Sequence, residues 1–184
     1  MSTVNFTAPG MSKTSSEKVV KTLDQRLLGL NDLALTLKHV HWNVVGPHFI
    51  GVHEMLDPQV DAIREMVDET AERIATLGGT PIGTPGYLVE NRSWDDYSLG
   101  KALVIEHLGA LDVVYSGVIE DHRAARQSVE DLDPVTEDLL IGQIAKLEQF
   151  HWFVRAHLEN SSGELVVSAK TEEEAAKQAA DATA

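Results

Sequence analysis

Four long stretches of this chain repeat apolar residues in steps of three and four, which is the period of a helix packed on neighbours. The first runs from Ser16 to Val44 and carries Val20, Leu23, Leu27, Leu30, Leu33, Leu37 and Val40. The second runs from His48 to Leu77, with Leu56, Val60, Ile63, Val67, Thr70, Ile74 and Leu77. The third begins after Ser98 and carries Val104, Leu108, Leu111, Tyr115 and Val118. The fourth begins at Pro134 and carries Leu140, Ile144, Leu147, His151, Val154 and Leu158. Stretches this long are too long for strands and predict an all-α chain.

The breakers between them order the helices. Gly46-Pro47 is a tight connection, so the first two helices are expected to be antiparallel neighbours. Gly78-Gly79, Pro81, Gly83, Pro85 and Gly86 open a longer crossover that lasts to Trp94 or beyond. Asp133 is placed to cap the fourth helix and Pro134 suits its first position. Ser161-Ser162-Gly163 ends it. Four helices with a long crossover between the second and third make the ferritin-like four-helix bundle arrangement. We expect a flexible N-terminal arm at 1–15, the bundle at 16–160, and an Ala- and Glu-rich mobile tail without an apolar seam at 161–184.

Composition narrows the chemistry. The 184 residues include no cysteine, so disulfides, thiol nucleophiles, zinc knuckles and Fe–S clusters are excluded. A metal would be held by carboxylates and by some of the 8 histidines. The net charge of −14 opposes broad contact with nucleic acid or an anionic membrane and favours cations. Neither a membrane span nor a signal peptide is expected, and the protein is expected to be soluble and cytoplasmic.

The second helix carries another stripe beside its core seam. At about 100° per residue, His53, Asp57, Asp68, Asp61 and Glu72 fall within an arc of roughly 100°. A charge stripe is ordinarily a solvated face. Here His53 with Asp57, and Asp68 with Glu72, each stand at i, i+4, the spacing at which two side chains grip one ion. His41 ends the first helix, and counting across the Gly46-Pro47 turn puts it level with His53. Asp57 and Asp68 are eleven residues apart, about 16.5 Å along a helix, which no single small metal centre spans. A two-fold axis between them would bring each His-rich end against the acidic end of a second copy, which points to an intersubunit site.

His41-Trp42-Asn43, followed by His53, Asp57, Asp68 and Glu72, resembles the ferroxidase motif of the Dps family, the DNA-protecting mini-ferritins. Gly51-Val52-His53-Glu54, the run from Ala71 to Gly78, and Phe150 with Trp152-Phe153 resemble that family too, so the likeness covers about Leu23 to Glu159. The resemblance implies a hollow homododecamer that oxidises Fe(II) at two-fold interfaces, preferably with hydrogen peroxide, and stores the ferric mineral. It implies that His41, His53 and Asp57 come from one subunit and Asp68 and Glu72 from its partner. Trp42 beside them would pack the ligands or intercept a stray oxidising equivalent, packing being the favoured role.

Other motifs are weaker. Glu148-x-x-His151 fits one half of a bacterioferritin-type centre, but His151 sits on the core seam and reads as a hydrogen-bonded core histidine. His53-Glu54 begins like a zinc-protease motif, with Asp57 where the second histidine belongs. His39, His48, His107, His122 and His157 read as structural or exposed. Glu130, Asp131, Asp133, Glu137 and Asp138 form an acidic cluster that capping largely explains, and to which the resemblance adds lining of an iron-entry channel. Two other functions compete with iron oxidation: a DNA-compacting nucleoid protein, and a metal-assisted amide or ester hydrolase on the same site. The ends of the chain argue against DNA. From Glu164 onward, Lys170 and Lys177 oppose Glu164, Glu172, Glu173, Glu174 and Asp181, a balance of 2 − 5 = −3.

Overall fold

A computed structural model describes residues 4–183. Helices α1 (Lys13–Asn43), α2 (Phe49–Thr76), α4 (Val104–Val129) and α5 (Pro134–Ala156) are the four expected long ones. Between α2 and α4 the crossover holds a short helix, α3 (Pro85–Asn91). A two-residue parallel ladder joins β1 (Val44–Val45) to β2 (Ala102–Leu103), pairing Val44 with Ala102 and Val45 with Leu103. Helix α6 (Glu172–Thr183) closes the described chain.

The helix ends follow local chemistry. The Ser12 hydroxyl accepts the Ser15 N–H at 3.1 Å and caps α1. Helix α2 stops in a Schellman turn: the Gly79 N–H reaches the Ile74 carbonyl and the Gly78 N–H the Ala75 carbonyl, both at 2.9 Å. Gly78 takes φ +80 there, as that turn requires. The Glu106 carboxylate accepts the Leu103 N–H at 2.7 Å, tying β2 to the first turn of α4. Pro58 lies inside α2 and withholds one ladder N–H, on an exposed side of the helix.

The chain forms two compact units. The first comprises Met1–Ala34, Ala62–Trp94 and Glu120–Ala145. Its core joins Val19, Val20, Leu23 and Leu27 to Ile74, Leu77, Val129 and Leu140. Val4 is fully buried in the same cluster. Residues 4–12, expected as part of a flexible arm, are therefore seated: the Asn5 N–H donates to the Gly78 carbonyl at 3.2 Å, and a Cβ on Gly78 would collide with the Phe6 carbonyl. Residues 1–3 of that arm, and Ala184 of the tail, lie outside the described residues. One isolated valine has no period, so pattern reading passes over it.

The second unit comprises Leu35–Asp61, Asp95–Ile119 and Lys146–Ala184. Leu37, Val40, Leu56, Leu108, Tyr115, Leu147 and Val154 are all fully buried here. His151 is the expected core histidine; its Nε2–H donates to Asp112 at 2.7 Å, and Arg155 donates to the same oxygen at 2.6 Å. The segment expected as a mobile tail instead turns back at Ser161–Gly163 and docks. Ala175, Ala176 and Ala179 form a buried seam on α6, and Gly109 on α4 lies so close that a Cβ would strike the Ala175 carbonyl. An alanine seam escapes a search for large apolar residues, yet methyl groups against a glycine pack helices closely.

Candidate metal half-site and family

The end of α1 and the start of α2 meet across the Gly46-Pro47 turn. There His41 and His53 exchange main-chain contacts: His41 Nδ1–H donates to the His53 carbonyl at 2.8 Å, and His53 Nδ1–H to the His41 carbonyl at 2.9 Å. A carbonyl can only accept, so each Nδ1 carries a proton and in the neutral ring the lone pair lies on Nε2. The rings stack with centroids 3.6 Å apart. This is the outer-sphere arrangement that orients metal-binding histidines.

Asp57 stands one turn along α2 from His53, with Oδ1 3.3 Å from His41 Nδ1. Lys38, one turn before His41 on α1, donates to that same oxygen at 2.7 Å. The hydrogen bond from Lys38 holds the Asp57 carboxyl below its ordinary range, with help from the nearby imidazoles. Sequence reading missed Lys38, although its i, i+3 spacing to His41 was the available signal.

His41 is only 7% exposed, while Trp42 beside it is 71% exposed. The expectation that Trp42 packs the ligands is not met within the chain: its ring lies outside, 5.9 Å beneath the Lys38 ammonium. Phe49 sets its ring edge against His53 at 6.3 Å, and Phe49 and Ile50 are exposed as well. Asp68 and Glu72 are exposed on the part of α2 that belongs to the first unit. The structure thus brings His41, His53 and Asp57 together, while Asp68 and Glu72 stand eleven and fifteen residues after Asp57 along α2. Among the described residues, no group of three or more His, Asp or Glu side chains is arranged to hold a metal ion.

The acidic cluster divides. Asp133 is buried and bound to Arg73 at 2.6 Å and to the Thr136 hydroxyl. Glu137 pairs with Arg126 at 2.7 Å, and Glu130 with the same arginine at 3.1 Å. Asp131 and Asp138 are exposed.

Residues 20–163 match the family described as the ferritin-like domain. A DNA protection during starvation protein from Mycolicibacterium smegmatis is 55% identical over 172 residues, which is 94% of both chains. The chain belongs to the Dps family of ferritin-like proteins. Among solved structures, DpsA14 from Streptomyces coelicolor superposes with a TM-score of 0.88 at 62% identity, covering 89% of this chain and 98% of that one. Mycobacterium smegmatis Dps in its tetragonal form gives 0.86 at 58% identity, covering 88% and 97%. The fine tangled pili major subunit of Haemophilus ducreyi is 51% identical over 88% of this chain and 85% of its own. The fold of this Dps-family chain is accordingly all-α and ferritin-like.

Proposed function

We propose that this Dps-family protein is a ferroxidase and iron store, oxidising Fe(II) with hydrogen peroxide and keeping the ferric product inside a homododecameric shell. One observation carries the reading: the exchange of Nδ1 hydrogen bonds leaves an Nε2 lone pair free on each of two stacked imidazoles, with the Asp57 carboxylate 3.3 Å from His41 Nδ1. Two imidazoles and a carboxylate suit Fe(II), and anionic oxygen favours Fe(III) further by charge. The incomplete half-site supports a shared one, with Asp68 and Glu72 supplied by a second copy across a two-fold axis. The exposed Trp42, Phe49 and Ile50 around the half-site are apolar surface that such a partner would cover.

Two Fe(II) ions give two electrons to one peroxide; its O–O bond breaks, two protons are taken up, and two waters leave. Paired delivery avoids the one-electron cleavage that releases hydroxyl radical. The Lys38 ammonium pairs with Asp57 at 2.7 Å, and an Fe(II) ion bound by that carboxylate would compete with it for the same oxygen. Trp42, whose ring lies 5.9 Å from the Lys38 ammonium, would pack the ligands against a second copy or intercept an escaped oxidising equivalent. Within the acidic cluster, Asp131 and Asp138 are the carboxylates left to draw Fe(II) toward a channel, since Glu130, Asp133 and Glu137 are paired internally. No described helix is long and apolar enough to cross a membrane, and the net charge of −14 fits handling of cations in the cytoplasm.

Stopped-flow measurement of Fe(II) oxidation by peroxide tests this reading. Glu72→Ala should slow oxidation at least about tenfold, the scale for losing a metal ligand or its support, with the assembly intact. Unchanged kinetics in that variant would refute it.

A further inference from the structure

His39 and His41 are two residues apart on α1, about 200° around the helix, so they face opposite sides of it. His41 faces His53. The opposite side meets a separate polar cluster in the same compact unit. His39 Nε2–H donates to the Leu99 carbonyl at 2.8 Å, and its ring meets Tyr97 edge-on at 5.9 Å. The Tyr97 hydroxyl and His107 Nδ1 share a hydrogen bond of 2.9 Å. His107 is fully buried on the first turn of α4. Burial keeps its imidazole below the ordinary range, although the Asn43 main chain nearby favours the proton. Asn43 is the last residue of α1, and its side chain donates back to the His39 carbonyl at 2.8 Å.

The cluster has an outer clamp. Glu172, on the first turn of α6, accepts both the Ser98 N–H at 2.7 Å and the Ser98 hydroxyl at 2.9 Å. Ser98 lies between Tyr97 and Leu99, the two residues that touch His39. A continuous set of contacts therefore runs from α6 through the 97–99 loop to His39, and from its carbonyl through Asn43 to the last turn of α1. That turn carries His41 on its other face, and His41 must keep its Nδ1 on the His53 carbonyl for Nε2 to remain its free lone pair.

We propose that Tyr97 and His107, held from behind by the Glu172 clamp, are positioning residues for His41, so that the C-terminal helix tunes the metal affinity of a half-site it does not touch. The proposal rests on the reading of His41 as a metal ligand. The mechanism is steric and polar: the 97–99 loop backs the last turn of α1, and a loose backing lets that turn fray. A frayed turn swings His41 away from the His53 carbonyl, and the pair of Nε2 lone pairs disperses.

Co(II) alone, titrated into the assembled full-length protein and followed by its visible absorption, reports both affinity and ligand geometry. Tyr97→Phe removes one hydroxyl, and Glu172→Ala removes the clamp at a surface position. Each should weaken Co(II) binding by about 3- to 30-fold, the scale of coupling carried through packed networks, and should shift the absorption bands. Glu172→Gln keeps an acceptor oxygen and should restore affinity and bands close to the parent. His41→Ala is the reference. Should His41→Ala abolish Co(II) binding while Tyr97→Phe and Glu172→Ala match the parent in affinity and spectrum, the positioning role is wrong and the ferroxidase reading stands. Should His41→Ala itself bind Co(II) like the parent, both fall. If Tyr97→Phe does not fold, Glu172→Ala and its glutamine rescue decide alone.

Discussion

His41 and His53 each give their Nδ1 proton to the other's main-chain carbonyl, at 2.8 and 2.9 Å. Neither ring is oriented without the other's backbone, but the backbone survives removal of a side chain. Replacing one histidine therefore removes a ligand and leaves a stacked ring without its neighbour. We expect His41→Ala and His53→Ala each to slow Fe(II) oxidation nearly as much as the double variant, because the pair acts as a unit. Additive losses in the double-mutant cycle would show two independent ligands instead.

The shared site makes a mixing prediction. One variant lacks His41 and His53, another lacks Asp68 and Glu72, and each alone has every site broken. Co-assembled at random, half of the two-fold pairs are mixed and half of their sites are whole, so about a quarter of sites should recover. Co-expressed shells that oxidise iron no faster than the separate variants would place the site within one chain.

Acid should unfold the protein partly through Asp133 and Asp112. Burial pushes both carboxyls up, but Arg73 and Thr136 hold Asp133, and His151 and Arg155 hold Asp112, below the ordinary range. A carboxyl lowered by folding stabilises above its unfolded value of about 3.9 and loses that contribution as pH falls through its folded value. Urea midpoints should therefore drop steeply below about pH 4. Asp133→Asn should flatten that drop and cost about 2–3 kcal/mol at neutral pH, from a weakened cap and an orphaned Arg73. A pH profile identical to the parent would remove Asp133 from the account.

Gly109 is where α6 meets α4, and a Cβ there strikes the Ala175 carbonyl. Gly109→Ala should release α6 while raising the helical propensity of α4. Hydrogen exchange should then show fast exchange across Glu172–Thr183, with α2 and the part of α1 before its last turn still protected. Protection of α6 equal to the parent would mean that the helices separate at little cost.

DNA should bind weakly. Non-specific affinity rises steeply with the number of phosphates neutralised, and the segment from Glu164 carries two lysines against five acids. We expect no stable gel shift at physiological salt, so that protection of DNA comes through iron chemistry. A shift that persists under those conditions would contradict this.

The four long helices and the His53/Asp57 and Asp68/Glu72 pairs were legible in the sequence because a helix is a local object. Its period, its caps and the face on which a residue falls depend on neighbours within a few positions, so Asp133 could be read as a cap from its place before Pro134. Whatever depends on chain segments meeting was decided only in three dimensions. Val4 is an unremarkable residue in a polar arm until it meets Val20 and Ile74, and the alanines of α6 become a seam only against Gly109. Lys38 finds Asp57, and His41 trades hydrogen bonds with His53, because the Gly46-Pro47 turn reverses the chain. Side-chain spacing could put the two histidines level. Only the packed turn, by committing each Nδ1 to a carbonyl, determined which nitrogen of each ring keeps its lone pair.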